Sequence, residues 1–336
     1  MARRVAQLVD RSTDGPVDRS QVWIGSKVIA HDLHGDDLAD VLQQNGNASA
    51  WAIAPRTASA ELHRFGRMLD LDDAVLEGIL APEQRIKFVD LERTRVVRLR
   101  AIRLQGREIV GDDLSMIITD QVLIMLVDEP YGSELARLLS GSGHRLAGGS
   151  ADRAAELVID HVVGASADAA TEIETASDQL ADALFGGAPL SRELKLDAFR
   201  LRRAVTALRR VTEPTAEVLQ DLVEAGDDLD VSDTRRWSMI IDHANRVNGG
   251  VAMLGDSLTA IFDTSLSLDN ARMDEVMKKL TGWAGIIAVP TLVTGFVGMN
   301  VHFWLNDTQL GFYIYLAIMV VAAAILYVIF RRNSWI

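Results

Sequence analysis

Two uncharged runs close this chain of 336 residues, and they decide most of what it can fold into. The first occupies residues 280–306 and the second residues 308–330, with Asp307 alone between them. Arg331 and Arg332 follow at once. About 20 apolar residues in a helix cross the hydrocarbon core of a bilayer, and a helix satisfies its own backbone polar groups there. The pattern predicts two membrane-spanning helices, residues 280–301 and 310–330. A short link, 302–309, joins them and a short tail, 331–336, follows.

Averages over the whole chain hide this. Mean hydropathy is only +0.12 and 24% of residues are charged, because the apolar excess sits at one end. Roughly 280 residues remain outside the membrane, enough for a domain and a long helical region. The chain has no cysteine, which excludes disulfides and thiolate metal sites. Residues 1–20 are polar, lack the apolar core of a secretory signal and read as a mobile tail. Lys278 and Lys279 precede the first span and Arg331 and Arg332 follow the second, whereas the link has neither Lys nor Arg. By the positive-inside rule both termini are expected in the cytoplasm, with the protein in the plasma (inner) membrane. The net charge of −13 then belongs to a cytoplasmic body, and no nucleic-acid partner is expected. Residues 216–275 hold 13 Asp/Glu against 4 Arg and no Lys, so acid gathers on the approach to the membrane.

Strand-like segments at residues 22–29, 49–53, 85–91, 95–104, 114–119 and 122–127 alternate with helical patterns at 60–69 and 72–80. They predict an α/β cytoplasmic domain over residues 21–140, with a hairpin over 114–127. Gly141, Gly143, Gly148 and Gly149 form no phosphate loop, because G-x-G-x-x-G would need glycine where Leu146 stands. From residue 151 strand signals cease. Three helices are expected at 151–185, 191–225 and 233–300, with Ser191 and Ser232 or Asp233 as N-caps. The first two make a helical hairpin, 151–232. The third is a stalk, 233–279, running without a break into the first span. Val247, Val251, Leu254, Leu258 and Ile261 step by 4, 3, 4 and 3, the coiled-coil interval. Such a rod has a face one chain is not expected to bury, so Gly249, Gly250 and Gly255 read as sites of close approach to neighbours.

Every seventh residue of that helix gives Asp256, Asp263, Asn270, Met277, Ala284, Thr291 and Gly298. With slight supercoil these share one face. The series passes from carboxylate through amide and thioether to hydroxyl and bare backbone. Around an axis it describes a cation route, with neutral oxygens at Thr291 and Asn300. Such oxygens suit a hard ion that keeps its water, such as Mg2+. Met277 and Leu280 would form an apolar ring able to close a pore by dewetting, and Asp263 an acidic ring that gathers cations. The bland alternative is ordinary helix packing. Two spans cannot enclose a pore alone, so the route requires several copies.

Gly298-Met299-Asn300 ends the first span. Met277-Lys278 and Leu280-Thr281 lead into it, Gly295 stands before it, and Tyr327 to Ile336 close the chain. In that order and spacing the C-terminal third resembles the CorA family of divalent-cation channels, and residues 79–88 and the hairpin near Thr119 extend the resemblance over about 49–336. The resemblance implies a funnel-shaped homopentamer with the first span lining the pore. Gly298, Met299 and Asn300 would form its selectivity filter, and Asn270, Ala284 and Thr291 its lining. Met277 and Leu280 would be the hydrophobic gate, and Asp263 an acidic ring. Lys278, Lys279, Arg331 and Arg332 would make a basic collar. It implies Mg2+ influx driven by membrane potential, gated by cytoplasmic divalent cations, with no cofactor.

Three departures bear on selectivity and regulation. Val297 stands where the family usually has an aromatic residue. The link reads Val301-His-Phe-Trp-Leu-Asn-Asp307 in place of the usual Met-Pro-Glu, so His302 and Asp307 become candidate ligands for Zn2+ or Co2+. Met239 replaces the first Asp of a regulatory Asp-Val-x-Asp-His segment, leaving Asp242 and His243. Asp72, Asp73, Asp112 and Asp113 read as ordinary solvated pairs. The rivals are the zinc-transporting branch of the family, proton-coupled in some forms, and a non-conducting membrane sensor. An enzyme is not expected, since no hydrolase, Walker or zincin motif is present.

Overall fold

The structure is a computed structural model that describes residues 19–81, 85–91, 94–146, 150–186, 191–225, 231–299 and 308–336. The expected tail falls almost wholly outside the described residues. The backbone divides into two compact units, one ending at Leu258 and the other running from Thr259 to Ile336.

The first unit is built on β1 (Ser20–Ile24), β2 (Lys27–His31), β3 (Ala48–Ala54), β4 (Lys87–Leu91), β5 (Thr94–Gln105), β6 (Glu108–Ile118) and β7 (Val122–Leu126). They form one sheet in the order β2-β1-β3-β7-β6-β5-β4, with β3 and β7 parallel and every other pair antiparallel. Between strands lie α1 (Gly35–Gln44), α2 (Ser59–Met68) and α3 (Asp73–Leu80). Alternation assigns the faces. Ala50, Ala52, Ile117, Val122 and Ile124 join Leu38, Leu62, Phe65 and Ile79 of α1–α3 in one core. After β7 come α4 (Tyr131–Gly141), α5 (Gly143–Leu146), α6 (Ala151–Phe185) and α7 (Arg192–Glu224). Helix α6 packs across β3, β5, β6 and β7, and α7 across β4, β5 and β6, so both sheet faces are covered.

Two strand expectations need correcting. Residues 22–29 are not one strand but a hairpin, because Gly25 adopts a left-handed φ of 59° and turns the chain. Strand β6 begins at Glu108, not 114. Its polar first half is held by β5, which pairs with it from Gln105↔Glu108 to Arg95↔Ile118. The hairpin over 114–127 is present, closed where Thr119 Oγ1 accepts from the Val122 N–H at 3.0 Å.

Helix α8 runs from Val231 to Val297, 67 residues or roughly 100 Å. Its described residues begin at Val231, so Ser232 and Asp233 stand inside it. Ser191 does cap α7, accepting from the Leu194 N–H at 3.2 Å. The first part of α8 is buried by its own chain. Trp237, Ile240, Ala244, Val247, Val251 and Leu258 are at most 9% exposed. Val163 and Ser166 of α6, Thr212 and Thr215 of α7, and Ala244 and Val247 of α8 surround one small void. This corrects the expectation that the seam needs neighbours. A Cβ on Gly249 or Gly250 would have nothing within 4 Å, so close packing within this chain does not explain them; only at Gly255 would a Cβ meet a neighbour, Val205, at 3.6 Å.

Candidate functional site

The second unit holds the rest of α8 and α9 (Gln309–Arg332), the two helices long and apolar enough to cross a membrane. Thr308 caps α9, accepting from the Gly311 N–H at 3.1 Å. Glycine lets α8 and α9 approach. A Cβ on Gly282 would lie 3.1 Å from Ile336 Cγ1, and one on Gly285 3.4 Å from Phe330 Cε2. Beyond α9 the chain hooks back: the Trp335 N–H donates to the Phe330 carbonyl at 2.9 Å, and the two rings stack 5.4 Å apart. The face of α8 that α9 covers is therefore Gly282, Gly285, Ile286, Val289, Pro290, Val293 and Val297, all buried or half-buried.

Ala284 and Gly298 of the seven-residue stripe lie away from that face, and Thr291 lines a groove shared with Tyr315 and Ile318 of α9. At about 100° per residue, Val293 sits about 180° round the helix from Ala284. Asp256, Asp263, Asn270, Met277, Ala284, Thr291 and Gly298 are each exposed in the single chain. Met277 and Leu280 are 52% and 62% exposed, although both are apolar. The Thr291 hydroxyl donates to the Ile287 carbonyl at 3.0 Å. Its proton is thus held inside the helix, and its lone pairs stay available to a cation. Thr294 does the same toward the Pro290 carbonyl at 2.9 Å. The seven-residue count missed Thr294; an i, i+3 count from Thr291 would have found it. Gly298 closes the helix, its N–H donating to the Thr294 carbonyl at 2.9 Å. A Cβ there would meet that carbonyl oxygen at 3.0 Å, so the position favours glycine for packing as well as for access. Asn300, His302 and Asp307 lie outside the described residues.

Where the first apolar run begins and the second ends, the basic residues differ in their contacts. Lys279 Nζ pairs with Glu275 Oε1 at 2.7 Å. The hydrogen bond from Lys279, and then its charge, hold the Glu275 carboxyl below its ordinary range. Lys278 and Arg332 are exposed, and Arg331 Nη1 lies 3.5 Å from Tyr327 Oη.

Among the described residues no three His, Asp or Glu converge as a metal cluster. Asp242 is exposed, while His243 Nδ1 stands 3.9 Å from Asp160 Oδ1 of α6. Asp112 and Asp113 are not solvated pairs: Asp112 meets Arg103 at 2.6 Å, and Asp113 meets Arg56 at 3.1 Å and Arg100 at 3.6 Å. Sequence reading also missed a basic pocket of α5, α6 and α8, whose arginines are far apart along the chain.

Known proteins share this arrangement. The chain is 44% identical over 80 residues to the cobalt/magnesium transport protein CorA of Methanocaldococcus jannaschii, a stretch that is 24% of this chain and 25% of that protein. It is 24% identical over 282 residues to the cobalt/magnesium transport protein CorA of Thermotoga maritima, covering 82% of this chain and 80% of that one. The complete structure of the CorA magnesium transporter from Methanocaldococcus jannaschii superposes with a TM-score of 0.77 over 94% of this chain and 98% of that one, at 21% identity, which establishes the fold. The family described as CorA-like Mg2+ transporter protein matches residues 46–332, from just before β3 to the end of the second apolar helix, and the chain belongs to that family.

Proposed function

We propose that this chain is the subunit of a homopentameric divalent-cation channel of the plasma (inner) membrane, with both termini cytoplasmic. It carries Mg2+ inward along the membrane potential and is gated by cytoplasmic divalent cations. The observation that carries the reading is the stripe from Asp256 to Gly298. It is exposed at every position in a single chain, and its Ala284 stands about 180° round the helix from Val293 on the α9-facing side. In a ring of copies that free face meets the axis.

The roles follow from the chemistry. Asp263 collects cations at the inner end. Met277 and Leu280 make an apolar constriction that excludes water when closed. Thr291, with Thr294, offers oxygen lone pairs to a hydrated ion, and Gly298, Met299 and Asn300 select at the outer end. Neutral oxygens match an ion that gives up its water reluctantly. The basic residues Lys278, Lys279, Arg331 and Arg332 hold the helices at the inner membrane surface.

The test is uptake into liposomes holding the purified protein, with a Mg2+ reporter inside and a negative-inside potential. Mg2+ entry without a pH gradient, abolished or deregulated in Asn300→Ala while the protein stays folded, is the expected result. Wild-type flux from Asn300→Ala would remove Asn300 from the filter. Zn2+ entry that needs a pH gradient, with Mg2+ excluded, would assign the chain to the zinc branch and make His302 and Asp307 the ligands to mutate. Absence of any flux would leave the membrane-sensor reading.

A further inference from the structure

In an acidic protein two pockets are lined by arginines, one along α7 and one whose arginines are organised by a buried carboxylate. The second has a volume of about 390 Å³ and lies where α5, α6 and α8 meet, with Arg145, Arg153, Arg236 and Arg246 around it. Glu156 organises the pocket. Its side chain is 4% exposed, and its Oε2 accepts from Arg153 Nη1 and from Arg236 Nε, the latter at 2.9 Å. One buried carboxylate thus fixes two guanidinium groups. Asp160 is the other acid of the lining and stands 3.9 Å from His243. Among the described residues of the lining, arginines outnumber carboxylates four to two. Arg145 and Arg246 are exposed, and among the described residues neither makes an ion pair.

We propose that this pocket binds a polyphosphate anion, either inorganic or the phosphate chain of a nucleotide. Planar guanidinium groups match phosphoryl oxygens in pairs, and such charge-assisted bonds are the strong ones. Two of the four are held in place before the ligand arrives, which lowers the ordering cost of binding. The chain of phosphoryl groups spans from the fixed pair to Arg145 and Arg246 on the rim. Leu157, Met239 and Ile240 line the same pocket, and Met239 is 65% exposed, so a nucleobase has an apolar surface to lie on. An anion seated there ties α8 to α5 and α6 through its charge. The site owes nothing to the α8 stripe, and its occupancy is read without a transport assay.

The experiment is isothermal titration of the full-length protein in detergent, with EDTA present and ionic strength held constant with chloride. Sodium tripolyphosphate and ATP are the two titrants. Saturable binding at one site per chain is expected, weakened about tenfold or more in the double variant Arg145→Ala/Arg246→Ala, the scale of losing charged hydrogen bonds. Both side chains are exposed, so the fold tolerates the change. Equal affinity for the two titrants would assign the site to the phosphate chain alone, and tighter ATP binding would add the nucleoside to it. The double variant Arg203→Ala/Arg210→Ala, on the basic surface of α7, is expected to bind as wild type does. Three results would overturn the proposal: no saturation by either titrant, equal weakening by the α7 variant, or binding that the Arg145/Arg246 variant leaves intact.

Discussion

At residue scale the chemistry rests on where single protons and single methyl groups can go. Thr291 keeps its proton on the Ile287 carbonyl, so it presents oxygen and no donor. A methyl group on Gly298 would sit 3.0 Å from the Thr294 oxygen, tighter than an ordinary contact. Gly298→Ala is expected to strain the helix end by about 1–3 kcal/mol, the usual scale of overpacking. It should lower Mg2+ uptake in the liposome assay while the melting temperature of the first unit stays unchanged. A second residue-scale effect lies in the sheet unit, where Arg95 meets Asp152 at 2.5 Å with both side chains largely buried. Burial raises the Asp152 carboxyl above its ordinary value, and the attraction of Arg95 opposes that rise. A raised carboxyl favours the fold below its unfolded pKa, and that contribution is lost as pH rises through the folded value. Arg95→Met removes the opposing attraction and pushes the carboxyl higher still. The variant should lose about 3–5 kcal/mol at neutral pH, where an unpaired carboxylate is left buried, and less as acidification protonates it. Melting temperatures of the full chain are expected to show a smaller loss at pH 5 than at pH 7.5; equal losses at the two pH values would mean that ionisation of the pair does not carry the effect.

At the scale of elements α8 carries two faces with different partners. Its 3–4 spacing was legible, because Val247, Val251 and Leu258 repeat at the interval that makes a seam. What covers the seam was not legible, since the same repeat serves a partner in the same chain or in another copy. The void between Val163, Thr212 and Val247 places α6 and α7 there. Leu258→Ala should therefore cost about 2–5 kcal/mol of stability, as fully buried leucines do, measurable as a lowered melting temperature. The membrane spans were legible for a simpler reason: length and absence of charge suffice. The turn at Gly25 was hidden inside a run of strand formers, and β6 was read short because its first half is polar. The pocket arginines could not be found from order along the chain, because only folding brings Arg145 and Arg153 to Arg236 and Arg246. Asp112 and Asp113 looked solvated because their partners, Arg103, Arg56 and Arg100, come from other strands or beyond.

For the whole molecule the decisive question is which side of α8 meets water inside the proposed assembly. The absence of native cysteine makes the answer direct. Ala284→Cys and Thr291→Cys should react with a membrane-impermeant methanethiosulfonate reagent and block flux. Val293→Cys, on the face against α9, should do neither. Equal labelling of the two faces would dissolve the pore assignment of the stripe. The same stripe has a further meaning for energetics. From Asn270 through Met277, Ala284 and Thr291 to Gly298 it holds an amide, a thioether, a methyl group, a hydroxyl and bare backbone, none of which titrates near neutral pH. A carrier that exchanges metal for protons in fixed ratio needs a group that gives and takes a proton along the path. In the proposed pore, the path from Asn270 to Gly298 has acid only before it, at Asp256 and Asp263, so ions that follow it are expected to move as electrical current, without an acid–base cycle.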